Sequence, residues 1–294
     1  MLKERKTTDN YSQSVLKSVY FQKIGDRLDC SINQAGVKAT YELTPCCFTP
    51  RAKTVLMDLD GTSVMSEEFW IYLMELTVKT LTGNQRFSFT EEDIPFVSGF
   101  STFEHLQYCI DKYNIPKSAN EANRVYHGIA EYELKEILEG RGNVSAFKPR
   151  ENLKEFLLEL KASGVKIGLV TSGLDYKAIP EIVSAFRQLG LGDPVEFYDA
   201  IITGGKRKLP GQYGTLGEMA AKPHPWVYAE IGASLCEEKN RVITLEDSAA
   251  GLIASRLAGY SVLGFKDGNI IKSGLDSFCY DTVSDFEQVL KIIL

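Results

Sequence analysis

Acidic, hydroxyl and lysine side chains follow several apolar runs of this sequence. The first run, Thr54 to Met57, ends in Asp58, and Asp60 and Gly61 come directly after it. Carboxylates two residues apart on an extended chain project to the same side, so Asp58 and Asp60 could face one ligand. The alternative explanation is an ordinary solvated turn, in which a single Asp-Gly pair is common. A solvated turn accounts less well for two acids at the end of a buried strand.

Two hydroxyl residues, Thr171 and Ser172, follow a second apolar run at residues 165–170. Hydroxyl and backbone N–H groups between a strand and a helix can bind an anion such as phosphate. The same two residues could equally serve as the N-cap of the next helix. Taken in isolation, this cluster therefore leaves both explanations open.

Glu246 and Asp247 follow a third apolar run at residues 241–245. Two adjacent acids at a strand end, opposite the strand that carries Asp58, suit a hard cation with oxygen ligands. Helix capping by Asp247 is the alternative explanation. Lys222 lies between a loop and a helix and could offset phosphate charge as a point cation, although a single lysine is usually solvated. His224 is expected to cap the helix that follows.

Strand-like and helix-like segments alternate through the second half of the chain. In order, they are helix 152–162, strand 165–170, helix 175–189, strand 199–203, helix 224–238, strand 241–245, helix 248–258 and strand 260–265. This alternation predicts an α/β fold with a doubly wound parallel sheet of the Rossmann type. Ligands bind such sheets beyond the carboxyl ends of the strands, which is where the polar clusters occur.

The remaining sequence predicts two additions to this core. Residues 67–147 carry helical periodicity and separate the first strand from the others, so we expect an inserted α-helical cap domain there. The core domain then comprises residues 51–66 and 148–294. Residues 1–50 form an N-terminal extension, in which two stretches of alternating polarity predict a β-hairpin. The glycine-rich segment 204–221 is expected to be a loop.

The net charge and composition of the chain argue against some classes of binding partner. The net charge of −6 argues against nucleic-acid binding, which requires a clustered basic surface. No apolar run is long enough to cross a bilayer, and the six cysteines contain no CxxC pair. We therefore expect a cytoplasmic protein with reduced thiols, either a monomer or a homodimer, that binds neither nucleic acid nor membrane.

The four clusters, in this order, resemble the motifs of the haloacid dehalogenase-like (HAD) hydrolase superfamily. The matching residues are Asp58 to Thr62, Thr171, Lys222 with Pro223, and Glu246 with Asp247. The helical insertion and the segment Leu245 to Gly251 are similar to the subgroup that contains phosphoglycolate phosphatase and β-phosphoglucomutase. The resemblance implies a Rossmann-like core and phosphoryl-transfer chemistry.

The resemblance also implies a role for each residue. Asp58 would attack phosphorus, and Asp60 would act first as general acid and then as general base. Thr171, Ser172 and Lys222 would bind the phosphoryl group. Mg²⁺ would be held by Asp58, the Asp60 backbone carbonyl and Asp247, with Glu246 bound directly or through water. Gly99, Phe100 and Ser101 are expected to form a specificity loop.

The resemblance favours a phosphatase for a small phosphorylated metabolite and leaves two alternatives. A β-phosphoglucomutase-like enzyme would have a histidine where Trp70 stands and an arginine within residues 98–102, and this sequence has neither. A non-catalytic HAD-fold binding protein would usually lack one of the charged motif residues, all of which are present. Sugar phosphates, phosphoglycolate-like acids and nucleoside monophosphates are the candidate substrates.

Overall fold

The computed structural model describes residues 19–34, 37–97, 102–206 and 221–294. They form two compact units. The first contains residues up to Ser63, Glu151–Asp175 and Val195–Leu294, and the second contains Val64–Arg150 and Tyr176–Pro194. The strands are β1 (Val19–Ile24), β2 (Arg27–Gln34), β3 (Val37–Glu42), β4 (Thr54–Asp58), β5 (Val64–Met65), β6 (Lys148–Pro149), β7 (Lys166–Val170), β8 (Ala200–Ile202), β9 (Val242–Glu246), β10 (Ser261–Phe265) and β11 (Asp281–Val283).

The helices follow the same chain order. They are α1 (Glu67–Thr82), α2 (Ile94–Val97), α3 (Thr102–Tyr113), α4 (Ala119–Leu138), α5 (Leu153–Ala162), α6 (Asp175–Leu189), α7 (Pro194–Phe197), α8 (Trp226–Leu235), α9 (Ala249–Leu257) and α10 (Phe286–Ile293). Two short 3₁₀ helices span Lys239–Arg241 and Asp276–Phe278. No helix in the described ranges is both long and apolar enough to cross a membrane.

A six-stranded sheet organises the first unit, in the order β11-β10-β9-β4-β7-β8. All its strands are parallel. Strands β4, β9 and β10 are buried along their whole length, as expected for apolar runs covered on both faces. The register pairs Asp58 with Val170 and Met57 with Leu245, so the polar clusters that follow these strands lie at one edge of the sheet.

Helices cover both faces of this sheet. On one face, Tyr228 and Ile231 of α8 and Ala254 of α9 pack with Leu56 and Val170 of the strands. On the other face, the rings of Phe156 (α5) and Phe286 (α10) stack at 4.4 Å, and Phe286 meets Phe265 of β10 at 5.4 Å. The predicted α/β fold, a doubly wound parallel sheet with a Rossmann-like core, is confirmed.

The first unit also contains a three-stranded antiparallel sheet, β1-β2-β3. Strands β2 and β3 are the two alternating stretches of the sequence, and their residues pair from Asp29–Glu42 to Gln34–Val37. Cys30 and Ile32 of β2 are fully buried, whereas Asn33 of the same strand is exposed, as expected for side chains that alternate between the two faces. The polarity pattern did not reveal β1, which pairs with β2 on its other side.

The second unit is mainly helical. It contains α1 to α4, the short pair β5-β6, and α6 from Tyr176 onward. Helix α4 begins with a capping box, in which the Glu121 N–H donates to Ser118 Oγ at 3.3 Å and the Ser118 N–H donates to Glu121 Oε2 at 2.9 Å. Its buried residues recur at helical spacing: Ala119, Ala122, Tyr126, Ala130, Leu134 and Ile137.

The compact units divide the chain differently from the predicted domains. Most of α6, which the prediction places in the core domain, belongs to the helical unit. The assignment of residues 67–147 to a cap domain stays a prediction.

Candidate active site

Asp58 is the last residue of β4, between β7 and β9 at the centre of the parallel sheet. It is 5% exposed, and one carboxylate oxygen, Oδ1, accepts a hydrogen bond from Lys222 Nζ. The Ser63 hydroxyl donates to the Asp58 backbone carbonyl at 2.6 Å, which fixes the chain as it leaves the strand. The carboxylate is therefore held in place at the carboxyl end of the sheet.

Lys222 bridges two acids. Besides Asp58, its Nζ donates to Glu246 Oε1 at 2.7 Å, and its side chain is 8% exposed. Its backbone N–H donates to Ser172 Oγ at 2.9 Å. Burial alone would lower the pKa of Lys222, but the adjacent Asp58 and Glu246 carboxylates outweigh this effect and raise it. Lys222 is thus a buried cation, and the alternative of a solvated surface lysine is wrong.

Glu246 is fully buried at the end of β9. Its Oε1 accepts hydrogen bonds from Lys222 and, at 2.5 Å, from the Tyr228 hydroxyl. Its Oε2 accepts one from Ser248 at 3.2 Å. Hydrogen-bond donors such as these compensate for the loss of water around a buried carboxylate. Tyr228 of α8 is one of them, and the sequence analysis did not predict its role.

Tyr228 also contacts the lysine. Lys222 Nζ lies 5.1 Å from the centroid of its ring, and the side chain is fully buried. Burial first, and then the charges of Glu246 and Asp58, raise the pKa of Tyr228 well above its ordinary value. The hydroxyl therefore stays protonated and continues to donate to Glu246.

Asp247 completes a cluster of three carboxylates. One oxygen each from Asp58, Glu246 and Asp247 lies within 4.8 Å of the other two. Asp247 Oδ1 accepts a hydrogen bond from Thr62 Oγ1 at 3.3 Å. A side chain at Gly61 would collide with the Asp247 carboxylate, so this close approach requires glycine.

These three carboxylates could hold a divalent metal ion. Oxygen ligands gathered at one point are what a hard divalent cation requires. The cluster gathers three carboxylates, and two of them, Asp58 and Glu246, contact the single ammonium group of Lys222, so negative charge is in excess. Burial first, then Glu246 and, more weakly, Asp247 raise the pKa of Asp58 well above its ordinary value, while Lys222 opposes the shift. A bound cation would relieve this repulsion.

Thr171 and Asp60 meet at the same edge of the sheet. Thr171 Oγ1 donates to Asp60 Oδ2 at 3.5 Å and accepts the Gly173 N–H at 2.8 Å. Thr171 is 1% exposed. Because α6 begins only at Asp175, neither Thr171 nor Ser172 is its N-cap. The Ser172 hydroxyl instead accepts the Lys222 backbone N–H, which connects the second cluster to the third.

The structure thus brings together residues from all four predicted clusters. Hydrogen bonds join Asp58, Glu246 and Ser172 to Lys222, and Thr171 to Asp60. Gly99, Phe100 and Ser101 lie outside the described residues. The expectation that His224 caps the following helix is wrong. Pro225 occupies the N-cap position of α8 and makes no side-chain cap. The His224 ring lies instead against Tyr41 of β3, with Nδ1 3.1 Å from the Tyr41 hydroxyl.

Comparison with known proteins agrees with this geometry. The sequence profile of the family described as haloacid dehalogenase-like hydrolase matches residues 55–265, which include all four clusters. Among curated protein sequences, none matches the chain.

Several solved structures share the fold. A candidate β-phosphoglucomutase from Thermotoga maritima is 20% identical, with a TM-score of 0.60 over 82% of this chain and 100% of that one. A predicted phosphoglycolate phosphatase from Haemophilus somnus 129PT is 19% identical, with a TM-score of 0.61 over 82% and 97%. A substituted CbbY from Rhodobacter sphaeroides, in complex with xylulose-(1,5)bisphosphate, is 17% identical, with a TM-score of 0.58 over 83% and 100%.

Proposed function

This chain belongs to the haloacid dehalogenase-like hydrolase family, and from that premise we propose that it is a magnesium-dependent phosphatase for a small phosphomonoester. One observation carries the proposal. Asp58, a carboxylate at the centre of the sheet edge, is held by the buried Lys222 beside two further acids, Glu246 and Asp247. This arrangement supplies a nucleophile, a cation and a metal site at one point.

The reaction proceeds in two displacements. In the first, an Asp58 carboxylate oxygen attacks phosphorus, the ester P–O bond breaks, and Asp60 gives its proton to the leaving alkoxide. In the second, Asp60 takes a proton from water as that water attacks the phosphorus of the aspartyl-phosphate. Inorganic phosphate leaves, and both carboxyl groups return to their starting states.

Other residues position the phosphoryl group and balance its charge. Lys222 lies against the attacking carboxylate, so its charge would reduce repulsion between that carboxylate and an approaching phosphate dianion. The Thr171 hydroxyl would donate to a phosphoryl oxygen, with Ser172 adding a backbone contact. A hydroxyl has a single proton to donate, so this bond would replace the 3.5 Å hydrogen bond that Thr171 donates to Asp60 in this structure.

Magnesium would be held by the Asp58 carboxylate, the Asp60 backbone carbonyl and Asp247. When bound, it would offset the charge of the phosphoryl group and of the carboxylate that attacks it. Glu246 would contribute directly or through water. Its three hydrogen bonds to Lys222, Tyr228 and Ser248 favour the indirect role.

The proposed substrate is a small phosphorylated metabolite, with Gly99, Phe100 and Ser101 as the residues that select it. We further propose a cytoplasmic enzyme, monomeric or homodimeric, without a nucleic-acid or membrane partner. The relatives suggest which compounds to test first, since one is described as a phosphoglycolate phosphatase and another holds a sugar bisphosphate.

A phosphate-release assay tests the proposal. Purified protein is given an aryl phosphate, sugar phosphates, phosphoglycolate and nucleoside monophosphates, with Mg²⁺ or with excess chelator. We expect phosphate release that requires Mg²⁺ and falls about 1,000-fold or more in Asp58→Asn. Asp111→Asn, at an exposed position on α3, is the matched control and should retain wild-type activity.

Four outcomes would reject the proposal. Activity that persists in chelator would exclude the metal role, and activity that persists in Asp58→Asn would exclude the nucleophile. Isomerised sugar phosphate without free phosphate would identify a phosphomutase. Wild-type protein that binds phosphate but is inert across the panel would identify a non-catalytic binding protein.

A further inference from the structure

We propose that Tyr41 of the N-terminal sheet, β1 to β3, is a positioning residue that holds the Lys222 turn through His224. The inference rests on the proposed function, because it gives this sheet a role in the same reaction. The sheet lies outside the part of the chain that the family profile matches, residues 55–265, so family membership does not account for it.

The inner face of the sheet packs on the helix that follows Glu246 and Asp247. Val19, Cys30 and Ile32 form one apolar cluster with Leu252 and Ile253 of α9. Cys30, Ile32 and Leu252 are fully buried. Burial on this scale couples the sheet to α9, whose N-cap, Ser248, donates to Glu246.

Further contacts fix the sheet and its connection to the core. The ring of Phe21 stacks on Phe278 at 5.2 Å. After β3, the Thr44 carbonyl accepts a hydrogen bond from the Arg256 guanidinium, and the Phe48 N–H donates to Ser261 Oγ at 3.1 Å. The sheet is therefore attached to the core at several points, so it can hold the residues that it contacts in fixed positions.

Tyr41 connects the sheet to the turn that contains Lys222. Its hydroxyl lies 3.1 Å from His224 Nδ1, and the His224 ring in turn contacts the ring of Trp226, the first residue of α8. The His224 ring is 1% exposed and lies between the two aromatic rings, at 6.2 Å from Tyr41 and 5.8 Å from Trp226. The Tyr41 hydroxyl thus holds the end of the turn, directly before α8 begins.

The turn itself is short and held on two sides. The His224 N–H donates to the Ala221 carbonyl at 3.1 Å, which closes the chain around Lys222. From the sheet edge, Ser172 Oγ accepts the Lys222 N–H. From the opposite end, Tyr41 holds His224. A displacement of the turn would move Nζ relative to Asp58, and misplacement of about 1 Å can cost about 100-fold in rate.

The test compares Tyr41→Phe, which keeps the ring and removes the hydroxyl, with Tyr20→Phe, at a 51% exposed position of the same sheet. We measure kcat and KM for an aryl phosphate, Tm, and hydrogen exchange of the peptide that contains residues 221–228. Loss of the hydrogen bond is expected to lower kcat about 3- to 10-fold with little change in KM, and to speed exchange in that peptide. Tyr20→Phe should change none of these quantities.

A second variant separates positioning from stability. Ile32→Val weakens the apolar contact with α9 without touching His224. It should lower Tm at least as much as Tyr41→Phe while kcat and exchange at residues 221–228 stay at wild-type values. Equal loss of kcat in Ile32→Val and Tyr41→Phe would overturn the proposal, as would wild-type kcat in Tyr41→Phe.

The two proposals can fail separately. If the wild-type protein hydrolyses no phosphomonoester, the proposed function fails, and the exchange measurement alone decides whether Tyr41 holds the turn. Unchanged exchange at residues 221–228 in Tyr41→Phe would then overturn the inference. If wild type is active and Tyr41→Phe is indistinguishable from it, only the inference fails.

Discussion

The charge distribution around Lys222 explains why a buried lysine is stable at this position. Its Nζ contacts Asp58 and Glu246, and Asp247 lies close to both acids. Breaking such a buried group by removing one partner is costly, because the remaining charge is left uncompensated. The lysine and the acids are therefore interdependent, and a donor that stabilises Glu246 also influences where Lys222 lies.

We predict that Tyr228→Phe lowers kcat about 10-fold or more. The substitution removes the hydroxyl that donates to Glu246 Oε1 at 2.5 Å. The buried carboxylate would then draw Lys222 toward itself and away from Asp58, and a hydrogen bond to a charged group contributes about 1.5–3 kcal/mol. Steady-state kinetics with an aryl phosphate and Mg²⁺ measures the change.

Tyr260→Phe is the matched control for this prediction. Tyr260 belongs to the same core cluster, but its hydroxyl lies against Gly232 rather than against a carboxylate. Its kcat should remain close to that of the wild type. Equal kinetic losses in the two variants would show that the effect of Tyr228→Phe arises from core packing.

Residue types and their positions after apolar runs pointed to Asp58, Asp60, Glu246 and Asp247. Thr171, Ser172 and Lys222 were assigned to the site only through the resemblance to the family. Tyr228 and Tyr41 were missed for a physical reason. Both are aromatic residues in otherwise ordinary elements, and their roles depend on contacts with Glu246 and His224, which lie 18 and 183 residues away in the chain. A local pattern carries no signal for such contacts.

Among the elements, the second unit depends on a buried carboxylate. Asp93, just before α2, is fully buried. Its Oδ2 accepts hydrogen bonds from the Thr90 N–H and hydroxyl, and its Oδ1 accepts them from Lys112 Nζ at 2.6 Å and from the hydroxyls of Tyr108 and Tyr113 at 2.8 Å. One side chain thus joins the segment before α2 to α3.

We predict that Asp93→Asn destabilises this unit by about 2–4 kcal/mol at neutral pH, because the amide would turn an NH₂ group toward donors and leave Lys112 without its partner. Urea unfolding in a Trp226→Phe background measures the loss, since Trp70 of the helical unit is then the only tryptophan. Asp111→Asn, exposed on α3, should change stability by less than about 0.5 kcal/mol.

The loss should depend on pH with a defined sign. Burial acts to raise the pKa of Asp93, but the hydrogen bonds from Lys112 and Thr90 outweigh it and hold the pKa well below its ordinary value. A lowered folded-state pKa gives stability that is present above the unfolded pKa of about 3.9 and is lost as pH falls below it. The difference between Asp93→Asn and wild type should therefore shrink below about pH 4. A constant difference would contradict this account.

The accuracy of the predicted elements follows the strength of their local signals. Helix α4 lies within residues 67–147, for which helices are predicted, and its local signal is strong because a capping residue, Ser118, precedes a long periodic segment. The prediction for 224–238 extends beyond α8 at both ends, since Pro225 and the left-handed Cys236 delimit the helix. Strand β11 has three residues, which is too short for a periodic signal. Helix α10 has Phe286, Val289 and Ile293 at helical spacing, a signal that the prediction overlooked.

At the scale of the whole chain, the order of strands explains how the site forms. β4 is adjacent to both β7 and β9 in the sheet, although its last residue, Asp58, is 112 residues from Val170 and 188 residues from Glu246. Parallel pairing brings their carboxyl ends to one edge. The alternation of strands and helices in the sequence predicted this arrangement. The attachment of the N-terminal sheet to α9 joins residues far apart in sequence, so no local sequence pattern could predict it.

The central claim is that Asp58 receives the phosphoryl group, and trapping that group tests it most directly. Asp60→Asn is mixed with an aryl phosphate labelled in its phosphoryl group, in the presence of Mg²⁺, and quenched in acid before peptide mapping. An aryl oxide leaves without a proton, whereas the attacking water needs the Asp60 base, so the intermediate should accumulate. We predict label on the peptide that contains Asp58 and none in Asp58→Asn/Asp60→Asn. Label on another residue, or equal labelling of both variants, would contradict the account.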